Sequence, residues 1–444
     1  MRQASLPPGN FGLPVIGETL AFLKDGDFAQ TRHARYGDVF KTRLFGKPTI
    51  FVRGAAANEF VFANENRYFQ VSWPQSTSAL LGSLSLALQH GGVHQSRRKL
   101  LAQAFLPRAL DGYIPAMTAI TRQYLTRWEK MATLTWYPEL RNYTFDVASS
   151  LLAGLENGSQ TPLGHWFEVW SQGLFSLPIN LPWTTFGKAM RSRQKLLSEI
   201  ETLIRQRQTR PDAGTDSLGL LLQATDEDGQ RLTVDELKDQ ILLLLFAGHE
   251  TLTSAIASFC LLTAQYPAVL HQLRQEQAGL DIPDPLTLAH LKSMTGLDSV
   301  LREVLRLVPP VGGGFRDVIQ TCELQGYQVP QGWSLLYSIG QTHQDASLYA
   351  DPEQFEPERF NPKSDVDSPS TKLAQKYGYV PFGGGIRECL GKEFARLEMK
   401  LFAVYLLRDY EWTLLPDQDL DLIMTPTPHP KDGLRMKFSR RKKS

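Results

Sequence analysis

The sequence predicts a mainly α-helical fold with small β-sheets. Long stretches carry apolar residues at three- and four-residue steps, which is typical of amphipathic helices. Short runs of β-branched and aromatic residues occur in pairs around glycine and proline, which indicates small sheets. The chain has 444 residues, of which 42% are hydrophobic, so a large buried core can form. Because no linker or internal repeat interrupts it, we predict a single domain over residues 1–444.

Two strand pairs and one loop are expected. Residues 40–44 and 49–52 flank a Gly-Lys-Pro turn and predict a β-hairpin. Residues 326–329 and 334–339 flank a Pro-Gln-Gly turn and predict a second hairpin. Polar residues and prolines in 361–376 predict a surface loop.

The strongest helix prediction covers Val234–Gln265. Thr233 can cap its first turn, and Glu236 three residues later completes a capping box. At 1.5 Å per residue such a helix is about 48 Å long. Residues 241–247 are apolar on every side and should be buried. The group 248–251, Gly-His-Glu-Thr, interrupts this apolar section, which suggests a functional reason. Further amphipathic helices are expected over residues 196–208 and 391–408.

Composition excludes several classes of protein. The net charge of +1 implies no general attraction for nucleic acid. Cys260, Cys322 and Cys389 are odd in number and far apart, so neither a disulfide framework nor a zinc site is expected. Prolines within the first 14 residues argue against a signal peptide or membrane span there. We therefore expect a soluble, cytoplasmic protein.

A glycine-rich loop precedes Cys389. Glycines at 383–385 allow positive φ angles and close approach of the backbone to another group. Cys389 lies just before the predicted helix 391–408, where the helix dipole and free amides favour a thiolate. A stable thiolate suits a metal ligand or a nucleophile. The alternative is a buried, inert cysteine beside a turn.

Phe382, Gly385, Arg387, Cys389 and Gly391 match the pattern F-x-x-G-x-R-x-C-x-G, in which the sequence resembles the cytochrome P450 family. The resemblance implies the family's fold, with haem between the long central helix and the helix of the cysteine loop. It also implies haem b as cofactor, Cys389 as the axial iron ligand, and Arg387 paired with a haem propionate.

Two further elements fit the same resemblance. Glu303 and Arg306 lie three residues apart on a predicted helix and, taken alone, indicate a solvated ion pair. The motif Pro357-Glu-Arg-Phe360 follows some fifty residues later. Together these elements resemble the family's ExxR and PERF motifs, which implies a structural triad of Glu303, Arg306 and Arg359 beside the haem.

The segment 247–251, Ala-Gly-His-Glu-Thr, resembles the family's oxygen-activation motif. The resemblance implies that Glu250 and Thr251 are the catalytic acid–alcohol pair that relays protons to bound dioxygen. Polar groups satisfied by neighbouring helices are the alternative. His249 is expected to line or flank the pocket rather than to bind iron.

Three other residues are candidates for haem binding. His94 and Arg98 resemble the family's W-x-x-x-R helix, with histidine where many members have tryptophan. Arg316 falls where the family often has another propionate-binding arginine. A charged surface helix is the alternative for His94 and Arg98.

The resemblance implies a monooxygenase that hydroxylates a C–H bond of a hydrophobic small molecule with O2 and two electrons. Because neither a flavin domain nor a set of iron–sulfur cysteines is recognised, we expect a separate electron donor, a ferredoxin with its NAD(P)H reductase. Arg97, Lys99, Lys392 and Lys400 could steer an acidic carrier. Alternatives of another class are a haem-dependent hydroperoxide isomerase or lyase and a non-catalytic haem carrier.

Several stretches, among them 41–46, 173–178, 242–254 and 309–316, resemble a cyanobacterial cytochrome P450 subfamily that hydroxylates retinoic acid and is related to animal retinoic acid hydroxylases. Retinoic acid is therefore the leading substrate, and another terpenoid, a sterol or a fatty acid is the alternative. Whether a retinoid would be acid, aldehyde or alcohol stays open. Residues 181–186 could contact a membrane peripherally. The candidate pocket residues, each of which could instead be ordinary core, are Trp73, Phe175, Pro178, Phe246 and Val311.

Overall fold

The structure is a computed structural model that describes residues 4–280, 284, 286–361 and 369–442. Its α-helices are α1 (Thr19–Lys24), α2 (Phe28–Tyr36), α3 (Ala55–Ala63), α4 (Gln75–Leu81), α5 (Gly91–Ala102), α6 (Pro107–Met131), α7 (Trp136–Ala153), α8 (Pro162–Ser171), α9 (Thr185–Gln208), α10 (Ser217–Gln223), α11 (Val234–Gln265), α12 (Pro267–Ala278), α13 (Leu288–Ser293), α14 (Thr295–Leu307), α15 (Ile339–His343), α16 (Pro369–Tyr377) and α17 (Lys392–Asp409). Its strands are β1 (Val39–Leu44), β2 (Lys47–Val52), β3 (Phe69–Val71), β4 (Thr133–Thr135), β5 (Gly313–Val318), β6 (Cys322–Leu324), β7 (Tyr327–Val329), β8 (Ser334–Ser338), β9 (Tyr410–Leu414), β10 (Leu422–Ile423), β11 (His429–Pro430) and β12 (Arg435–Arg440). The mainly helical fold with small sheets is confirmed.

Backbone contacts divide the chain into two compact units. The first comprises Met1–Trp73, Leu305–Glu356 and Pro362–Cys389, and the second comprises Pro74–Val304, Pro357–Asn361 and Leu390–Ser444. The expectation of a single domain over residues 1–444 stays a prediction.

A five-stranded sheet in the order β1-β2-β8-β5-β3 organises the first unit. The predicted hairpin of β1 and β2 is confirmed, with Val39 opposite Val52 and Leu44 opposite Lys47. Strand β8 lies between β2, to which it is parallel, and β5, to which it is antiparallel. All five residues of β8 are buried, as expected for a strand covered on both faces.

The second predicted hairpin is wrong, because its two strands pair with other partners. β7 pairs with β6, with Leu324 opposite Tyr327, while β8 joins the five-stranded sheet. Gln325 and Gly326 form the tight turn between β6 and β7, with φ of 49° and 80°. Two positive φ angles favour a two-residue hairpin here, whereas the Pro-Gln-Gly segment only connects two sheets.

The expected surface loop over 361–376 is also partly wrong. Residues 362–368 lie outside the described residues, but α16 covers Pro369–Tyr377. Residues 373–376, Leu-Ala-Gln-Lys, are all good helix formers, and the loop prediction gave too much weight to the serines and prolines before them.

Helices dominate the second unit, and α11 is the longest of those described. Its bounds and its capping box are those predicted, since the Thr233 hydroxyl accepts from the Glu236 amide at 3.2 Å and the Glu236 carboxylate accepts from the Thr233 amide at 2.9 Å. Among the described residues, α11 is also the one helix long and apolar enough to cross a membrane, yet 72% of its most apolar window is buried. The buried core helix of a globular protein meets the same criteria of length and apolar composition.

The other predicted helices differ at their ends. α9 begins at Thr185, before the predicted start at 196, because the Thr184 hydroxyl caps its first turn by accepting from the Gly187 amide. α17 begins at Lys392, with Gly391 as its N-cap. The helix prediction for 391–408 therefore holds to within one residue at each end.

Candidate active site

The loop that ends at Cys389 belongs to the first unit, and its own backbone hydrogen bonds hold it. The Cys389 amide donates to the Phe382 carbonyl at 2.9 Å, and the Glu388 amide donates to the Gly385 carbonyl at 3.1 Å. Between these bonds, residues 385–387 form one turn of 3-10 helix. The loop is thus fixed in place, and Cys389 is exposed on it.

Two glycines of this loop lie against Phe62 of α3. A Cβ on Gly384 would come within 2.5 Å of the Phe62 ring, and a Cβ on Gly385 within 2.6 Å of the Phe62 carbonyl oxygen. Gly385 also has a φ of 63°, an angle that residues with a Cβ rarely adopt. The glycine requirement predicted from sequence therefore has a physical basis in this contact.

Two arginines predicted to bind haem share one carboxylate. Arg316 of β5 donates from Nε to Glu65 at 2.7 Å, and Arg387 donates from Nε to the other Glu65 oxygen at 3.2 Å. All three side chains are buried or nearly so. The Val71 amide also donates to Glu65. Glu65 was missed in the sequence, because nothing local distinguishes it from a surface glutamate.

The predicted structural residues Glu303, Arg306 and Arg359 have buried or nearly buried side chains. In the second unit, Arg359 Nε lies 3.4 Å from a Glu303 carboxylate oxygen, and Glu303 is fully buried. In the first unit, the Arg306 guanidinium is fully buried. It donates to the carbonyls of His343, Pro352 and Gln354 at 2.9, 2.7 and 3.0 Å. Arg306 is therefore a buried structural cation and not a solvated surface charge.

His343, which the sequence did not single out, belongs to the same network. Its Nδ1 lies 3.2 Å from the Arg306 carbonyl, and its Nε2 accepts from the Val380 amide at 3.0 Å. The first contact requires a proton on Nδ1 and the second requires a bare Nε2, so the ring is the neutral tautomer. Burial lowers the pKa of His343 to about 3, in agreement with that tautomer.

The middle of α11, in the second unit, has one face that is not buried. Between Ile241 and Ser258 the residues that are not buried are Leu243, Phe246, Ala247, Gly248 and Thr251. Gly248 lies against α7, since a Cβ there would meet Leu152 at 3.2 Å. The other four recur at three- and four-residue steps, which puts them on a single face. We call Leu243, Phe246, Ala247 and Thr251 the open face of α11. It is apolar except for Thr251 at its end, whose hydroxyl donates to the Ala247 carbonyl at 2.7 Å.

Glu250 is four residues after Phe246 and three after Ala247, but its side chain is buried and hydrogen-bonded to α7. It is 2% exposed, and it accepts from Arg141 Nη1 at 2.8 Å. Arg141 Nη2 donates to Glu168 of α8 at 2.6 Å. Although burial disfavours its charge, the two carboxylates raise the pKa of Arg141. Within the described residues, no hydrogen bond joins Glu250 to Thr251. Arg141 could not be identified from the sequence because it lies more than a hundred residues before Glu250, on α7.

His249 is packed between α7 and α8. Its Nδ1 lies 2.9 Å from the Thr144 hydroxyl, and the rings of Phe145 and Phe167 contact its ring edge to face at 5.3 and 5.6 Å. Burial, together with the charge of Arg141, lowers the pKa of His249 well below its usual value. His249 is therefore a neutral packing residue behind the open face.

His94 and Arg98 lie four residues apart on α5 of the second unit, with His94 buried and Arg98 half-buried. Two of the basic residues expected to attract a redox carrier lie on the same helix. Arg97 pairs with Glu236 at 2.6 Å, and Lys99 pairs with Glu227 at 2.6 Å. On α17, Lys400 pairs with Asp298 at 2.8 Å. These carboxylates offset much of the positive charge expected from the sequence.

The candidate pocket residues are distributed over both units. Phe246 lies on the open face of α11, with its ring edge to face against Trp170 at 5.8 Å. Phe175 and Pro178 belong to the second unit and are exposed, whereas Trp73 and Val311 belong to the first and are half-buried and exposed, respectively.

The segment 175–183 between α8 and α9 is anchored at both ends. At its start, the hydroxyls of Ser76 and Thr77 both donate to the Leu174 carbonyl. At its end, the Thr184 hydroxyl contacts the Ile179 and Leu181 carbonyls. Between the anchors the segment exposes large apolar side chains, namely Phe175, Leu177, Ile179, Leu181 and Trp183.

Residues 7–438 match a family model described as Cytochrome P450. The chain is 57% identical to the cytochrome P450 120 of Synechocystis sp., over 99% of this chain and 98% of that protein. It is 38% identical to cytochrome P450 26B1 of Danio rerio, over 98% of this chain and 86% of that protein. Among solved structures, the retinoic acid bound cyanobacterial CYP120A1 is similar with a TM-score of 0.92 and 54% identity, covering 99% of this chain and all of that one.

Proposed function

Because this chain belongs to the cytochrome P450 family of haem-thiolate monooxygenases, we propose that Cys389 is the iron ligand and that a retinoid is the substrate. The observation that supports Cys389 is its exposure on a fixed loop. Of the three cysteines, Cys260 is buried, Cys322 is half-buried and Cys389 is exposed. A thiolate must be accessible to bind a metal, and Cys389 also carries the loop motif.

The residues present fit a haem group. Bound haem iron with a thiolate ligand activates O2, so that O2, two electrons, two protons and a C–H bond yield an alcohol and water. Arg316, Arg387, His94 and Arg98 are the residues proposed to hold the propionates, by charge-assisted hydrogen bonds. The glycines of the loop let its backbone pass close to Phe62, and Phe382 and Gly391 are the first and last fixed positions of the haem-binding motif.

The family's proton-relay residues correspond to Glu250 and Thr251. Thr251 ends the open face of α11, where its hydroxyl can pass a proton while the apolar face excludes bulk water. Replacing Thr251 by alanine should raise the amount of hydrogen peroxide formed per NAD(P)H consumed and lower the yield of product. Unchanged coupling in Thr251→Ala would contradict the relay role.

The ligand assignment is tested by spectroscopy of the reduced protein under carbon monoxide. The parent should give the red-shifted Soret band of thiolate-ligated haem, and Cys389→His should lose it. Cys322→Ala is the matched control and should keep the parent spectrum. A histidine-type band in the correctly folded parent, or loss of the thiolate band in Cys322→Ala alone, would contradict the assignment.

The retinoid proposal is supported by the similarity to the structure with retinoic acid bound and by the apolar open face of α11. Phe246, Phe175 and Pro178, with Trp73 and Val311, are proposed to contact the polyene and the ring. Titration with retinoic acid should shift the Soret band as the ligand displaces water from iron. Retinol and a fatty acid of similar length serve as comparison ligands. No shift at saturating retinoic acid, or an equal response to the fatty acid, would contradict the retinoid proposal.

The electron donor is proposed to be a ferredoxin with an NAD(P)H-linked reductase. Because Arg97, Lys99 and Lys400 are paired with carboxylates, we expect a moderate dependence of reduction rate on salt. Raising ionic strength should slow the reduction, and a rate independent of salt would contradict electrostatic docking. Turnover of a lipid hydroperoxide without NAD(P)H or ferredoxin would instead support an isomerase or lyase reaction.

A further inference from the structure

Glu250 and Thr251 are neighbours in sequence, but their side chains have different hydrogen-bond partners. Thr251 lies on the open face of α11, whereas the Glu250 carboxylate accepts from Arg141 of α7. Glu250 can act with Thr251 only if its carboxylate turns away from Arg141.

The contacts of Arg141 suggest how the Glu250 carboxylate can turn away from it. Its two terminal nitrogens bind two different acids, Glu250 through Nη1 and Glu168 through Nη2. The side chains of Glu250, Arg141 and Glu168 are 3%, 20% and 51% exposed. The three form a polar line from a buried acid to the solvent, in a part of the second unit that is otherwise packed with Phe145 and Phe167.

From this geometry we infer that Arg141 and Glu168 are positioning residues for Glu250. Glu168 is a second acceptor that can take over the Arg141 guanidinium while Glu250 turns to the open face. Without Glu168, a half-buried guanidinium would lose its acid partner whenever Glu250 moved, which is costly. Glu168 thus lowers the free-energy cost of turning the Glu250 carboxylate away from Arg141. This inference rests on the proposed role of Glu250 in proton delivery.

The first test measures thermal unfolding of the resting protein without substrate, and so needs no turnover. We compare Glu168→Gln, Glu250→Gln and the double variant. Either acid alone can neutralise Arg141, so the double variant should lose more than the sum of the two single shifts in melting temperature. Additive shifts would overturn the inference.

A matched control is available in the first unit. Asp38 pairs with Arg53 at 2.8 Å, with side-chain exposures of 51% and 23%, close to those of Glu168 and Arg141. Asp38→Asn combined with Glu250→Gln should give additive shifts, because the two acids share no partner. Non-additivity here as large as in the Glu168 cycle would overturn the inference.

The second test measures turnover. Glu168→Gln should lower kcat by about ten-fold, a part of the ~10²–10⁴ that general acid–base catalysis contributes, with little change in KM. The solvent isotope effect and hydrogen peroxide release should rise. Glu168→Asp should restore much of the rate, and Asp38→Asn should behave as the parent.

The outcomes separate two kinds of failure. If Glu250→Gln keeps the parent coupling, the proposed proton role of Glu250 is wrong. If Glu250→Gln uncouples the enzyme but Glu168→Gln does not, Glu250 keeps its role and the positioning inference is wrong. The inference also requires that Glu168→Gln has no further effect on turnover in a Glu250→Gln background, and an independent loss there would overturn it.

Discussion

The two glycines that touch Phe62 should respond differently to the same substitution. Gly384 has extended backbone, with φ of −170°, so alanine there meets only the phenylalanine ring at 2.5 Å. Forcing a methyl group into a packed site costs about 1–3 kcal/mol. Gly385 combines a similar overlap with a φ of 63°, which costs a residue with a Cβ a further ~1–2 kcal/mol.

We therefore expect Gly384→Ala to lower the free energy of unfolding by about 2 kcal/mol and Gly385→Ala by about 3–4 kcal/mol. Urea unfolding followed by circular dichroism measures both losses. The haem absorbance of each purified variant shows whether the loop still accepts the cofactor.

Phe62→Val distinguishes the two causes, because it removes ring atoms but leaves the backbone in place. In that background, Gly384→Ala should cost little, since its nearest contacts are ring atoms. Gly385→Ala should stay costly, since its nearest contact is the Phe62 carbonyl oxygen. Equal relief of both substitutions, or a neutral Gly384→Ala in the parent, would refute this reasoning.

Two further predictions concern the network around Arg306. Arg306→Leu removes the guanidinium donor of three carbonyls and should lower the free energy of unfolding by about 3–5 kcal/mol. On the same helix, the Arg302 guanidinium lies over the Phe360 ring at 4.3 Å, and Arg302→Leu should lower the free energy of unfolding by about 1 kcal/mol. Similar losses in urea unfolding would contradict this. Because the pKa of His343 is about 3 in the folded protein and about 6.5 when unfolded, its stabilising effect is complete above pH 6.5 and declines as the pH falls toward 3. Lowering the pH from 7.5 to 5 should therefore cost about 2 kcal/mol through this residue, and a His343→Gln variant that keeps the parent pH dependence would rule it out as the cause.

Local signals in the sequence were sufficient for much of the fold. The capping box at Thr233 and the Tyr266-Pro267 stop fix the ends of α11, because caps depend on residues within one turn. The hairpin of β1 and β2 follows from two alternating runs and a short turn. The Gln325-Gly326 turn was missed because glutamine rarely adopts positive φ, so the pairing of β6 with β7 had no clear signature.

The candidate site was only partly predictable. The cysteine loop could be identified because its spacing is local. The partners of the charged site residues could not be predicted. Tertiary packing brings Glu65 to Arg316 and Arg141 to Glu250. The sequence also suggested that Glu250 and Thr251 act side by side, whereas in the structure Glu250 accepts from Arg141 of α7 and Thr251 donates to the Ala247 carbonyl. A sequence motif does not show which distant side chain binds each of its residues.

Because the chain is anchored at Leu174 and Thr184, we expect the segment between them to tolerate amino-acid substitutions. The hydroxyls from α4 fix where the stretch begins, and the cap of α9 fixes where it ends, so neither helix depends on the side chains between them. Because Phe175 and Pro178 are proposed to contact the substrate, we expect substitutions over 175–183 to change which apolar molecules bind while the helical framework keeps its stability.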